Sequence, residues 1–151
     1  MGVRIRKMQT RDREALDRMM HELWLIHAIK CRYISKSYVE AADAYREMRK
    51  KNKEILVAEA EGKAVGYAYL TVKRAESFFR FKRYLYLDEI FVDTAYRRGG
   101  VGLLLLREVK SIARKKGLPI LARIYPFSKG MLGLSAKEGG EMLHSTFIFP
   151  K

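Results

Sequence analysis

Tyr84-Leu85-Tyr86-Leu87-Asp88-Glu89-Ile90-Phe91-Val92, followed by Asp93-Thr94-Ala95-Tyr96 and then Arg97-Arg98-Gly99-Gly100-Val101-Gly102, is the stretch on which the fold of this chain turns. Its first part is rich in β-formers and its second is a turn. From Gly100 to Lys116 the pattern becomes helical, with Leu105, Val109, Ile112 and Ala113 on one face and Gly117-Leu118-Pro119 as the stop. Glycines at 99, 100 and 102 let the backbone approach a ligand closely, and the first amides of a helix have no intrahelical acceptor. With the helix dipole and Arg97 and Arg98 adding positive potential, the loop suits an anion such as a pyrophosphate. Two familiar phosphate loops fail on spacing. A Walker loop needs a terminal Lys-Ser/Thr, which is missing, and a dinucleotide fingerprint needs a glycine where Leu105 stands, early in a βαβ unit.

Outward from that stretch, Ile55 to Ala60 and Val65 to Val72 are β-rich runs joined by Glu61-Gly62-Lys63, an antiparallel hairpin by its glycine-containing link. Val3 to Met8 alternates apolar and basic residues as a half-buried strand does, and Thr10 is placed to cap a following helix. In that helix Leu16, Met19, Met20, Leu23, Trp24 and His27 recur at spacings of three and four, a core stripe with a structural role. A second helix is expected from about Ser37 to Lys50, a fifth strand at Ile120 to Tyr125, a short helix from Lys129 to Lys137, and one or two final strands in Met142 to Phe149.

The 151 residues fit one domain, 1–151, with a single sizeable core. No apolar run is long enough to span a membrane and no signal-type segment opens the chain, so a soluble, cytoplasmic protein without membrane association is expected. Cys31 is the only cysteine, which rules out an intrachain disulfide, and the scattered His21, His27 and His144 offer no metal-ligand spacing. The net charge of +14 is concentrated toward the end: residues 97–151 carry 11 basic and 3 acidic side chains. That surplus attracts polyanions, a phosphorylated cofactor or a nucleic acid. Asn52 and Gln9 are the only side-chain amides, which with 32% charged residues also fits a thermophilic protein.

Val92-x-x-x-Tyr96-Arg97-Arg98-Gly99-Gly100-Val101-Gly102-Leu103-x-x-Leu106 resembles the acetyl-coenzyme A signature of the GNAT N-acetyltransferase superfamily, Arg/Gln-x-x-Gly-x-Gly/Ala after the fourth strand. Val3 to Leu16 is similar to the family's opening strand and helix, and Ile55 to Leu70 to its hairpin. The resemblance thus covers nearly the whole chain. It implies an α/β (α+β) fold with a central mixed, mostly antiparallel sheet flanked by helices on both faces.

Residue by residue, the resemblance implies that the backbone of Ile90, Phe91 and Val92 pairs with the cofactor's pantetheine arm. It also implies that amides from Arg98 to Leu103, in the loop Arg97, Arg98, Gly99, Gly100, Val101 and Gly102, hold the pyrophosphate. The thioester then lies where the fourth and fifth strands part. Asp88-Glu89-Ile90-Phe91-Val92 is similar to the acidic stretch of acetyltransferases acting on polyamines and diamines, so Glu89 or Asp88 would bind the ammonium and accept its proton. Strand alternation sends neighbours to opposite faces, so one of the two is expected at the cleft, and Glu89 is favoured if Ile90 and Val92 pack under the following helix. A bulge in the strand would reverse the choice. The alternative for both acids is an ion pair with Arg83, Lys82 or Arg123 on neighbouring strands.

Many members carry Asn-x-x-Ala-x-x-Leu-Tyr-x-x-x-Gly-Phe, whose tyrosine protonates the departing thiolate. Aligned on Gly139, this chain has Ser128 at the asparagine, Met131 at the alanine, Leu134 at the leucine, Ser135 at the tyrosine and Gly140 at the phenylalanine. The general acid is therefore open between Ser135 and Tyr125, the latter at the end of the fifth strand. The leading expectation is acetyl transfer from acetyl-coenzyme A to an amine acceptor, a small amine or a protein amino group, by direct attack, without a metal. The others are a coenzyme A-binding domain of the same fold without turnover and, last because no nucleic-acid motif is present, a nucleic-acid or ribosome-associated protein. The oligomeric state is open, with a homodimer one option.

Overall fold

In a computed structural model, which describes residues 2–151, β1 (Val3–Lys7), β2 (Lys53–Ala60), β3 (Lys63–Arg74), β4 (Arg83–Val92) and β5 (Ile120–Ala122) lie side by side in that order in one sheet. The first three junctions are antiparallel and β4 with β5 is parallel, giving the expected mixed sheet. α1 (Arg13–Lys30), α2 (Lys36–Ala41) and α3 (Ala44–Met48) cover one face, while α4 (Val101–Lys116) and α5 (Lys129–Lys137) cover the other.

Side-chain alternation along the strands creates two cores. Leu56, Ala58, Ala68, Leu70, Leu85 and Leu87 meet Val101, Leu105, Val109 and Ala113 of α4. On the opposite face Ile55, Val57, Tyr67, Tyr69 and Phe91 meet Leu16, Met19 and Met20 of α1. The β2–β3 hairpin turns on Glu61 and Gly62, both at positive φ (52° and 75°), which is the backbone a two-residue turn with the sheet's own twist demands. At the far end of α4, Gly117 at φ 64° and the Leu118 amide on the Ala113 carbonyl close the helix. Asp12, buried ahead of α1, accepts a fork from Arg6 at 2.7 and 2.9 Å, which ties the helix start to β1 and holds the carboxyl below its ordinary range.

Three sequence expectations are corrected. The helix foreseen from Ser37 to Lys50 is two short ones, because Asp43 caps a new start by accepting from the Arg46 amide at 3.1 Å, while His21 bonds the Ala42 carbonyl left over at the break. β5 stops at Ala122 rather than Tyr125, since its ladder with β4 ends at the pair Leu87–Ala122. The tail Met142 to Phe149 forms no strand and leaves Met142, Phe147 and Phe149 exposed. Its alternation supplies β propensity, but no neighbouring strand takes its hydrogen bonds.

Candidate active site

β4 pairs with β3 residue for residue until Tyr69 faces Glu89 and Leu70 faces Leu87, so Asp88 is an extra residue in β4. This bulge alters the facing rule on which the choice between the two acids depended. Leu85 and Leu87 lie on the α4 face, yet Asp88 and Glu89 both serve the α1 face, and both line a cleft of about 80 Å³ at the point where β5 ends. Sequence alternation allowed one carboxylate there, and the structure brings both.

Their environments differ. Asp88 is paired with Lys53 Nζ at 2.9 Å and accepts from the Thr71 hydroxyl at 2.5 Å. It is ion-paired, as in the alternative to a catalytic role, but to a lysine of β2 rather than to Lys82, Arg83 or Arg123. Among the described residues Glu89 has no cation within ion-pair distance. Its two oxygens accept from Trp24 Nε1 at 2.5 Å and the buried Tyr67 hydroxyl at 2.7 Å. Burial pushes the Glu89 carboxyl up, and the two donors offset this only in part.

Other walls of the cleft are Ile90, Arg123, Tyr125, Ser128 and His27. His27 stacks obliquely on Tyr125 at 5.0 Å between ring centroids, and burial lowers its pKa, favouring neutral imidazole. Of the two candidate acids, Tyr125 is at the cleft. Ser135 is not: it sits farther along α5, where its carbonyl accepts from Gly140 at 2.8 Å.

Above the cleft, the β4 edge facing β5 is open beyond Leu87. Asp93 donates its amide to Val65 of β3, and Phe91 turns its carbonyl the same way, toward the spot where a Cβ on Gly66 would stand at 2.8 Å. By alternation the backbone groups of Ile90 and Val92 point into the gap. This corrects the expectation for Phe91, whose backbone serves the sheet and whose ring is buried in the core. Arg97 is also redirected. Its Nε donates to the Val92 carbonyl at 2.8 Å and its guanidinium lies 5.2 Å from the Phe91 ring centroid, bracing the end of β4. Arg18 does the same from α1 through a two-pronged bond to Asp93 at 2.8 and 2.9 Å.

The glycine loop has the geometry of an anion cradle. Arg98 and Gly100 take positive φ (64° and 80°), and the first helical bond of α4 runs from Leu104 to the Gly100 carbonyl at 3.0 Å. The amides of Val101, Gly102 and Leu103 therefore have no intrahelical acceptor. A Cβ at Gly100 would meet open space.

Tyr67, Lys53 and Thr71 are not singled out by the sequence, and its spacing assigns Trp24 and His27 to the core stripe of α1. A clue existed for Trp24 and His27 alone, both polar-tipped members of the α1 stripe. For the others only strand register makes them neighbours.

A mixed sheet with an open edge, a bulged fourth strand and an anion cradle at the following helix defines a class of coenzyme-binding fold. Residues 16–130 match the acetyltransferase (GNAT) family model, and the chain belongs to that family. A mutant of the BH1408 protein from Bacillus halodurans is similar at 19% identity and TM-score 0.85, over 98% of this chain and 99% of that one. AAC(6')-Iy in complex with the bisubstrate analogue CoA-S-monomethyl-acetylneamine is similar at 20% and 0.76, over 100% and 99%. A ribosomal-protein-alanine N-acetyltransferase from Brucella melitensis biovar Abortus 2308 follows at 16% and 0.70, over 99% and 100%. At these identities the likeness is one of fold. No curated protein matches the sequence. The family uses acetyl-coenzyme A, and the donor set fits it: free amides at a helix start, glycines that leave room, and an open strand edge. No helix among the described residues is long and apolar enough to cross a membrane, and no group of potential metal ligands is present among them.

Proposed function

We propose that the chain acetylates a primary amine by direct transfer from acetyl-coenzyme A, with Glu89 as the base. The observation that carries this is a carboxylate that forms no ion pair among the described residues, held by Trp24 and Tyr67 and lining the cleft where β5 ends. When bound, acetyl-coenzyme A supplies a thioester carbonyl open to attack. The amides of Val101, Gly102 and Leu103 would hold its pyrophosphate, and the open edge at Ile90 and the Val92 amide would orient its arm, with Ser128 across the cleft, the Val92 carbonyl being taken by Arg97. Glu89 binds the acceptor's ammonium and takes its proton, and burial, by raising its pKa above the ordinary carboxylate range, makes it a stronger base than a solvated glutamate. Amides on the β4 edge favour negative charge on the carbonyl oxygen. Tyr125, which lines the cleft, donates a proton to the departing sulfur in this reading.

Asp88, already neutralised by Lys53, positions rather than reacts. The lack of a cleft-facing hydroxyl at Ser135 favours one second reading, a coenzyme A-binding domain without turnover. Release of coenzyme A with a panel of amines, for wild type beside Glu89→Gln, separates the two. Acceptor-dependent release that the substitution suppresses is expected, and acetyl-coenzyme A binding with no release from any amine supports the second reading.

A further inference from the structure

A second space of about 340 Å³ adjoins the cleft, between the C-terminal end of α1 and the segment after β5. Tyr125 lines both, so the two communicate past one side chain. Its ring stacks on Phe127 at 5.1 Å and 13°, and with His27 this makes a continuous aromatic wall leading out of the cleft. Facing that wall are Lys30, Arg32 and Tyr33, the Arg32 guanidinium lying over the Tyr33 ring at 4.9 Å. No acidic residue lines this groove. Among the described residues, Lys30, Arg32 and the cleft's own Arg123 form no ion pair, whereas Asp88 beside them is taken by Lys53.

The charge layout among the described residues is therefore one carboxylate held by neutral donors, without an ion pair, at the inner end and cations without an ion pair along the exit, Arg32 donating to the Tyr33 hydroxyl at 2.7 Å. A groove walled by one sign of charge concentrates the opposite sign, and a second ammonium placed in it would lie against Lys30 and Arg32 with nothing to offset it. Neamine, the acceptor portion of the analogue held by AAC(6')-Iy, is a polycation of the kind such a groove repels. We propose that the groove lined by Lys30, Arg32 and Phe127 binds the acidic part of the acceptor, so that the amine acetylated carries carboxylate or phosphate groups and is not a polyamine or aminoglycoside. This rests on the acetyltransferase reading above.

The test is calorimetric titration of the whole protein, with coenzyme A present, using amidated tetrapeptides that differ only at their second and third positions: two glutamates, two glutamines or two lysines. O-phosphoethanolamine and neamine complete the set. The acidic peptide should bind roughly tenfold or more tightly than the neutral one, and the basic peptide and neamine more weakly still. Lys30→Glu with Arg32→Glu should invert that order, and Lys30→Gln with Arg32→Gln should flatten it. Binding of O-phosphoethanolamine comparable to the acidic peptide assigns small acids, and weak binding assigns polypeptide termini. Equal binding of the three peptides, a preference for neamine, or an order unmoved by the charge reversal overturns the proposal. Acetyl transfer is followed in parallel. Absence of transfer to every acceptor with acetyl-coenzyme A bound counts against the acetyltransferase reading, while transfer without an acidic preference counts against the groove.

Discussion

The two faces of the sheet are built on different principles. Toward α4 the buried surface is aliphatic: Leu56, Leu70, Leu85 and Leu87 against Leu105, Leu106 and Val109, with no charged side chain among them. Toward α1 the sheet presents Tyr67, Tyr69, Thr71, Asp88 and Glu89, each with a hydrogen-bond partner. Among the described residues no buried side-chain polar atom is left without one. One face thus contributes apolar burial, and the other keeps titratable groups in a low-dielectric setting where their protonation can be tuned. The bulge at Asp88 lets one strand serve both, by adding a residue to the α1 face without disturbing Leu85, Leu87, Ile90 and Val92 on the other.

The sharpest way to break this division is Glu89→Gln, which keeps shape and removes the base. Turnover should fall roughly 100-fold to 10,000-fold while acetyl-coenzyme A affinity, measured by calorimetry, stays put. Full retention of rate beside a loss in Asp88→Asn would transfer the role to the neighbouring acid. On the other face, Leu105→Ala should cost about 2–5 kcal/mol in denaturant unfolding and leave the rate per folded molecule nearly intact. Loss of rate at unchanged stability would mean that the two faces are not separable.

Gly102→Glu probes the cradle at their shared edge. A Cβ there would sit 3.7 Å from Leu134, an ordinary contact, so the fold should survive while a carboxylate occupies the pyrophosphate position. Wild type should gain about 2.7 kcal/mol at roughly a hundredfold excess of acetyl-coenzyme A over Kd, and the variant nothing, in a thermal-shift titration. Equal shifts would place the phosphates elsewhere.

The smallest effects are in pH dependence. Because burial raises the Glu89 pKa, the folded state binds more protons there than the unfolded state does. Its contribution to stability is therefore lost as pH rises from the ordinary carboxylate range through the folded value, and Glu89→Gln should flatten that part of the stability profile. The acid limb of kcat/KM should lie above the usual carboxylate range. Trp24→Phe, which removes a donor to the carboxylate, should move it to higher pH still. An unmoved limb would show that another group controls it.

The reading of the sequence was most complete where structure is local. The loop Arg97 to Gly102, the turn at Glu61-Gly62 and the closure of α4 at Gly117 each rest on residues a few positions apart, where backbone freedom and helix-end amides are intrinsic to the segment. So do the order of elements and the family membership that follows from it. The break in the helix at Ala42, the missing strand in Met142 to Phe149 and the distance of Ser135 from the cleft depend on which partners arrive from elsewhere in the chain.

What the sequence by itself determined is a strand, an anion cradle and a helix in the order of a GNAT acetyltransferase, because those features are written in backbone preferences of contiguous residues. What only the tertiary structure decided is how Asp88 and Glu89 divide their roles. One extra residue in β4, counted against β3, turns both to the same face. Side chains from α1, β2 and β3, as far as 65 positions away for Trp24, then neutralise one and leave the other free. Register and long-range packing set protonation, and neither is legible in a run of neighbouring residues.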